Sequence, residues 1–337
     1  ITGYYSDLGG YIGNIDGGDD LHERESQAFR GKLLWQPSEA LDVTLSANYM
    51  DVDENCCSMV PQYWDPRAAF ILPSPLSALL TNMLPGVPQD EENTKTGRDD
   101  GDQQESDNTG VSVKLDYRVG EHTLSSITAY NEWNNRAGND VDFSGRDVPG
   151  ELLGLYSVRA WDDADRNSEF VSQELRLASP AGEQLDYLLG LYYSKAENAQ
   201  RYERFSGLAP LRENTDASTE TEGYAAFGQG DWHFTDATTL SFCLRYNYEE
   251  ISAEVQDFAA GSVLAGDDDD SVWLGKLSLQ HQLLEDTMVY GNVSTGYKGQ
   301  AFDTGIFTQE KADNPVQPEE SVNYELGLKS VFADDRV

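Results

Sequence analysis

The sequence repeats with a period of two, in runs of about ten residues, and the runs are joined by connections that are brief and long in turn. Leu185, Tyr187, Leu189, Leu191 and Tyr193 form an unbroken apolar set against Asp186, Gly190 and Ser194. Leu240, Phe242, Leu244, Tyr246 and Tyr248 alternate with Ser241, Cys243, Arg245 and Asn247, and Leu41, Val43, Leu45, Ala47 and Tyr49 with Asp42, Thr44, Ser46 and Asn48. A period of two sends each set to its own face of a sheet. Tight connections fall near Pro37, Gly120, Pro180, Asp236, Leu284 and Asp334. Long stretches without periodicity fill the intervals at 6–25, 51–108, 134–167, 197–217 and 253–270 and the polar interval after Gly299. Strict alternation of short and long connections puts every long loop on one rim. Membrane barrels have that asymmetry, with short periplasmic turns and long extracellular loops. The predicted fold is all-β: an antiparallel transmembrane β-barrel, present in part, as about twelve strands of a larger barrel.

Facing follows from the same periodicity. Val43, Leu45, Val113, Leu189, Leu191, Leu244 and Leu326 are expected to meet lipid. Lys32, Lys114, Asp116, Glu174, Arg176, Arg245, Glu325 and Lys329 fall on the opposite parity and are expected to line a watery or plugged lumen. The strands at 122–133 and 222–234 do not keep one parity, so their facing stays open. In the 51–108 interval Pro61, Pro66, Pro73, Pro75, Pro85 and Pro88 rule out a regular central strand. A short helix is expected within 70–83. No run of about 18 apolar residues exists, which excludes a helical span but not spanning strands of about 9–11 residues.

Two blocks near the end carry a family resemblance. Ser294, Thr295, Gly296, Tyr297, Lys298 and Gly299 with Phe302 form the first. Val316, Gln317, Pro318 and Glu319, followed by Asn323, Tyr324, Glu325, Leu326, Gly327, Leu328 and Lys329, form the second. In order and spacing they resemble the late barrel of a TonB-dependent outer-membrane receptor. Phe170, Val171, Ser172, Gln173, Glu174, Leu175, Arg176 and Leu177 are similar to a mid-barrel strand of the same family. The resemblance implies an outer-membrane receptor that imports a scarce nutrient, most commonly a ferric siderophore. It implies energy coupling through TonB, by way of a plug domain and a TonB box for which this chain has no matching positions. Residues 1–337 read as the β-barrel portion alone, without plug or terminal strands, because both ends look cut.

Composition bounds the alternatives. The net charge of -37 argues against nucleic acid as a partner. Its plain reading is a solvated surface; a sharper one is attraction of cations, or divalent bridging to lipopolysaccharide beside the lipid contacts. With 39% hydrophobic and 11% aromatic residues the chain is too apolar to be disordered. There is no P-loop, no Ser/His/Asp set at one level and no paired metal-ligand motif, so no enzyme activity and no cofactor are expected. His122, His233 and His281 lie beside brief turns, too far from the outer loops to gather there with them; His22 is the fourth histidine. Asp267, Asp268, Asp269 and Asp270 are weak calcium candidates, expected in a loop but without the ligand spacing of a dedicated site. Cys56 and Cys57 are neighbours that could close a ring or stay reduced.

Substrate-binding candidates are loop aromatics: Tyr63, Trp64, Phe143, Trp161, Phe302 and Phe307, with Tyr11 and Phe205 beside them. Rings hold carbon-rich cargo, and they also pack loops against one another; the sequence supports both readings. The acidic balance opposes an anionic iron complex, which keeps cobalamin, haem, plant aromatics and oligosaccharides open. A passive porin or adhesin barrel is the first alternative, and a secreted β-sandwich binding module the second.

Overall fold

The structure, a computed structural model, describes residues 1–331 apart from 16, 18, 59, 61–89, 99–102, 141–159, 207–210 and 306. The expected helix within 70–83 lies outside the described residues.

Twelve strands form one antiparallel sheet in which each pairs with its neighbours in sequence. They are β1 (Thr2–Leu8), β3 (Arg24–Ser38), β4 (Leu41–Glu54), β6 (Gln103–Val119), β7 (His122–Asp140) and β8 (Ala160–Ala178). Then follow β9 (Leu185–Ser206), β10 (Leu211–Thr235), β11 (Thr238–Asp257), β12 (Ser262–Leu284), β13 (Thr287–Lys298) and β14 (Glu319–Ser330). β1 and β14 stand at opposite ends of the order and do not pair, so the described sheet is open. Two two-residue strands, β2 (Gly13–Asn14) and β5 (Lys95–Thr96), pair in parallel outside it, and a short helix, α1 (Gln309–Asp313), follows β13. The brief turns lie where the sequence put them. At Gly120 the backbone needs a positive φ of 63°, which glycine adopts without steric cost.

The register settles the facing that parity left open. Val113 pairs with Thr128, Thr128 with Gln173, Gln173 with Tyr193, Tyr193 with Tyr224 and Tyr224 with Tyr248. Directly paired residues share a face. The even residues of β7 and β10 therefore lie on the same side as Leu189 and Leu244. Leu189, Leu244 and Leu326 are 51%, 54% and 91% exposed, as lipid-facing residues are when lipid is absent. Val43 has the same parity but is buried, flanked in the register by Trp35 and Leu115. On the opposite, lumen-side parity Val52, Asn135, Ala164, Ala225, Ile251, Ala253 and Val255 are buried.

The rhythm of connections is less strict than the sequence suggested. β7 runs on to Asp140 and β8 begins at Ala160, inside the interval expected to be loop. β9 and β10 stay paired up to Ser206 and Leu211, and β11 and β12 up to Asp257 and Ser262. The interval at 253–270 is thus a hairpin. Its tight turn is closed by Asp257, whose carboxylate accepts from the Ala259 and Ala260 amides, and by Gly261 at φ 67°. Asp267, Asp268, Asp269 and Asp270 consequently lie in β12 rather than in a loop. β10 has 25 residues and β12 has 23. At about 3.3 Å per residue such strands reach roughly 70–80 Å, far more than a bilayer needs. Their upper halves project beyond it.

Candidate functional site

A belt of tyrosines marks where the outward face changes character. Tyr49, Tyr130, Tyr193, Tyr224 and Tyr248 all have outward parity. Tyr193 and Tyr224 pack with tilted rings, centroids 5.2 Å apart, and Tyr224 and Tyr248 are 6.5 Å apart. Each hydroxyl is turned to a carboxylate on the extracellular side. Tyr248 donates to Glu250 at 2.8 Å, Tyr130 to Glu132 at 2.9 Å and Tyr49 to Asp51 at 3.4 Å. Tyr193 and Tyr224 both donate to Glu222, at 3.3 and 3.0 Å. An amphipathic ring with its body in lipid and its hydroxyl in water suits this boundary.

Above the belt the outward face is charged. Glu132, Glu169, Glu197 and Glu220 are directly opposite one another across β7, β8, β9 and β10. Lys195 clamps two of them, reaching Glu197 at 2.6 Å and Glu220 at 3.1 Å. Higher up, Arg136 lies 3.6 Å from Asp163 and 3.7 Å from Asp165, and Arg201 lies 3.2 Å from Glu203.

The lumen parity at the same height is mixed: Arg166 and Arg204 share it with Asp162, Glu249, Asp268 and Asp270. One register row runs Val52, Ser106, Asn135, Arg166, Gln200, Ala217 and Val255 across seven strands. All of these but Val255 bound a cavity of about 770 Å³, together with chain neighbours that include Asp51, Asp53, Glu105, Asp107, Asp165, Asp216 and Glu254, and Arg136 and Arg201. Arg166 is the one charged member of the row, and its Nη1 donates to Asn135 Oδ1 at 3.0 Å. The carboxylates beside the row, among them Asp51, Asp53, Glu105 and Asp107, have outward parity. A concave wall of amides, hydroxyls and small apolar groups around Arg166, edged by carboxylates and two further arginines, can hold a large polar ligand with hydrogen-bonding edges.

Lower in the lumen the charges are matched. Arg176 Nε meets Glu174 Oε1 at 2.6 Å, and Lys114 Nζ meets Asp116 Oδ2 at 2.8 Å. The Arg245 guanidinium lies 5.4 Å from the Tyr192 ring centroid and 5.5 Å from that of Phe227. His233 contacts Asp186 at 3.3 Å, His122 contacts the Tyr187 hydroxyl at 2.9 Å, and His281 contacts Thr238 at 2.8 Å. All three histidines are at the short-turn rim.

The sequence candidates fare differently. Tyr63, Trp64 and Phe143 lie outside the described residues. Phe302 and Phe307 come together edge to face, with centroids 6.1 Å apart. Trp161 pairs with Phe205 on the outward parity, away from the 770 Å³ cavity, and with Phe258 it lines a separate surface hollow. Tyr11 hydrogen-bonds His22 at 3.0 Å. Strand geometry separates the four aspartates by parity, Asp267 and Asp269 outward and Asp268 and Asp270 inward, so they cannot converge on one calcium ion. Among the described residues no group of three or more His, Cys, Asp or Glu side chains could hold a metal. Cys56 and Cys57 are joined as a disulfide, and Cys243 is free.

The row around Arg166 was missed because its residues fall in intervals without an apolar rhythm. A faint signal existed. In β11 the apolar set changes parity, from Leu240, Phe242, Leu244, Tyr246 and Tyr248 to Ile251, Ala253 and Val255.

Residues 60–337 match the family model described as TonB dependent receptor-like, beta-barrel. The pesticin receptor of Yersinia pestis is 28% identical over 165 residues, which cover 48% of this chain and 24% of that protein. The ferric yersiniabactin uptake receptor of Yersinia pestis superposes with a TM-score of 0.74 at 18% identity, over 98% of this chain and 46% of that one. The siderophore receptor of Acinetobacter baumannii gives 0.69 at 16% identity, over 96% of this chain and 49% of that one. The chain thus spans a quarter to a half of the length of these relatives. Their shared fold is the outer-membrane β-barrel of transport receptors rather than that of an enzyme. The chain belongs to the TonB-dependent receptor family, as part of its outer-membrane β-barrel.

Proposed function

We propose that the intact protein imports a ferric siderophore across the outer membrane, with energy coupled through TonB. The observation that carries this reading is the 770 Å³ cavity on the lumen side above the tyrosine belt. The acidic composition seemed to oppose an anionic iron complex. Sorting by face weakens that objection: the register row at the cavity carries Arg166 as its one charge, while the carboxylates that line it as chain neighbours of the row have outward parity. A chelate with carboxylate, catecholate or phenolate edges would meet the amides, hydroxyls and guanidinium of that row. The relatives named above for siderophore uptake agree with this choice. The fold alone does not make it, since a copper transporter superposes with a TM-score of 0.61.

We take residues 1–337 as the barrel portion of this receptor, completed by further strands and a plug elsewhere in the polypeptide. The test is growth on single ferric siderophores as the iron source, with the full-length gene deleted and restored, in cells with and without TonB. Growth that requires both the gene and TonB supports the reading. Growth that requires the gene but not TonB would favour a passive barrel. Arg166→Glu should abolish use of the siderophore while leaving the amount of receptor in the outer membrane unchanged.

A further inference from the structure

Aromatic rings return on the outward face where it is otherwise charged. Above the tyrosine belt β8 and β9 carry Asn167, Asp165, Asp163, Glu197, Arg201 and Glu203 on the outward parity. Then the pattern breaks. Trp161 and Phe205, directly opposite each other in the register, follow on the same parity. Phe258 joins them from the β11–β12 turn. Its amide donates to the Asn214 carbonyl at 2.9 Å, which pins that turn beside β10, and the residue is 44% exposed. Together the three rings border a hollow of about 490 Å³.

Neither lipid nor imported cargo accounts for them. Phe205 lies twelve residues beyond Tyr193 in β9. At about 3.3 Å per residue and a tilt of roughly 40°, the hollow stands ~30 Å above the belt, clear of hydrocarbon. Its parity turns it away from the lumen.

The wall beside the rings is polar and fixed. Glu203 is directly opposite Asn214. Its Oε1 accepts from Asn214 Nδ2 at 3.1 Å and from Arg201 Nη2 at 3.2 Å, so the carboxylate is oriented before any ligand arrives. Flat apolar faces with a fixed acceptor at their edge suit a pyranose. The C–H face of the sugar packs on a ring, and its hydroxyls donate to the carboxylate. Charge decides which sugar. Glu203 and Glu213 outnumber Arg204 in the wall, which repels phosphorylated sugars and accepts neutral ones.

We propose that this hollow binds the neutral outer sugars of lipopolysaccharide in the receptor's own membrane. At that height an outward face in the outer leaflet is surrounded by polysaccharide, whose phosphates lie next to the lipid and whose sugars extend from it. Trp161 and Phe205 are the stacking platform, Phe258 closes its side, and Glu203 orients the hydroxyls. The contact ties the projecting hairpins to their surroundings and does not depend on what the receptor imports.

The test therefore needs no cargo. In intact cells carrying the full-length receptor, Ala259→Cys places a thiol at the edge of the hollow, and a membrane-impermeant maleimide reads its access. With complete lipopolysaccharide labelling should be slow. Adding Trp161→Ala should raise the rate severalfold, and Trp161→Phe should raise it less. In cells whose lipopolysaccharide lacks its outer sugars, all three should label at one fast rate. The receptor without Ala259→Cys gives the background, and heat-modifiable mobility checks assembly. Equal rates with and without Trp161→Ala in the complete cells overturn the proposal. So does a rise of the same size in the truncated cells, since the ring then merely shields the thiol. Protection that follows receptor abundance rather than sugar length also overturns it, and places a second copy on this face. Phe205→Ala makes the same comparison where Trp161→Ala fails to assemble.

Discussion

The lower and upper halves of the same four strands, β9 to β12, obey opposite rules. Below the tyrosines the outward parity is Leu185, Tyr187, Leu189 and Leu191 in β9 and Leu240, Phe242, Leu244 and Tyr246 in β11. Above them it is Lys195, Glu197, Arg201 and Glu203, then Glu250 and Glu254. The backbone ladder passes through the change unbroken. Secondary structure therefore does not register the boundary; solvent does. In hydrocarbon a side chain must be apolar whichever strand carries it, whereas in water the outward face is free to take charge. The lumen face changes the other way. It carries Arg245 and Asn247 below, and Ile251, Ala253 and Val255 in buried positions above, where the curled sheet supplies cover.

The largest expected effect tests the lower half. Leu189→Arg puts a guanidinium on the lipid face, at a cost of about 2–4 kcal/mol at mid-depth. Heat-modifiable mobility of the full-length receptor should show loss of the folded form. Arg201→Leu, on the same face and strand above the belt, should leave that mobility intact. Equal behaviour of the two variants would remove the boundary.

The glutamate row tests the upper half. Like charges directly opposite in a sheet are destabilising, each pair by roughly 0.2–1 kcal/mol. Glu169→Gln relieves two such pairs, with Glu132 and Glu197, and should stabilise the protein, read as a higher denaturant midpoint after refolding into lipid vesicles; the gain should shrink in high salt. A loss of stability would mean that Glu169 has a favourable partner outside this chain.

Lys195→Gln removes the clamp on Glu197 and Glu220. The expected loss is smaller, since exposed pairs in water contribute little, and adding Glu197→Gln should recover part of it. A loss as large as that of Leu189→Arg would place Lys195 in a drier setting than the belt implies.

The smallest effect is a pH dependence confined to the segment after β13. The Lys311 ammonium hydrogen-bonded to Asp303, helped by the Gly305 amide, holds that carboxyl below its ordinary value. A lowered pKa stabilises the folded segment above the ordinary aspartate range, and the contribution is lost as pH falls through the shifted value. Mobility of this segment, followed by a spin label at residue 304, should rise only under strongly acidic conditions. Asp303→Asn should abolish that dependence.

How much was legible follows from the same boundary. Leu189, Leu244 and Leu326 announced their face because lipid imposes one rule on every second residue, and the paired charges Glu174 and Arg176 announced the other. The brief turns were legible from Gly120 and Asp236 for local reasons. Glu132, Glu169, Glu197 and Glu220 were not legible as a row. They come from four strands, and only the register sets them opposite one another. Asn135, Arg166 and Gln200 were unreadable as site residues for the same reason. Above the bilayer both faces of a strand can be polar, so the alternation that reveals strands fades just where ligand would be met.

The sequence by itself determined a membrane barrel, its lipid face and the rim of its short turns, because hydrocarbon on one side and water on the other write a period of two into the chain. Only the tertiary structure decided how far the strands extend, that the acidic residues crowd the outer side of the mouth, and that Trp161, Phe205 and Phe258 gather around one hollow there. Those features depend on which distant residues the hydrogen-bond register brings level, and no local pattern encodes that alignment.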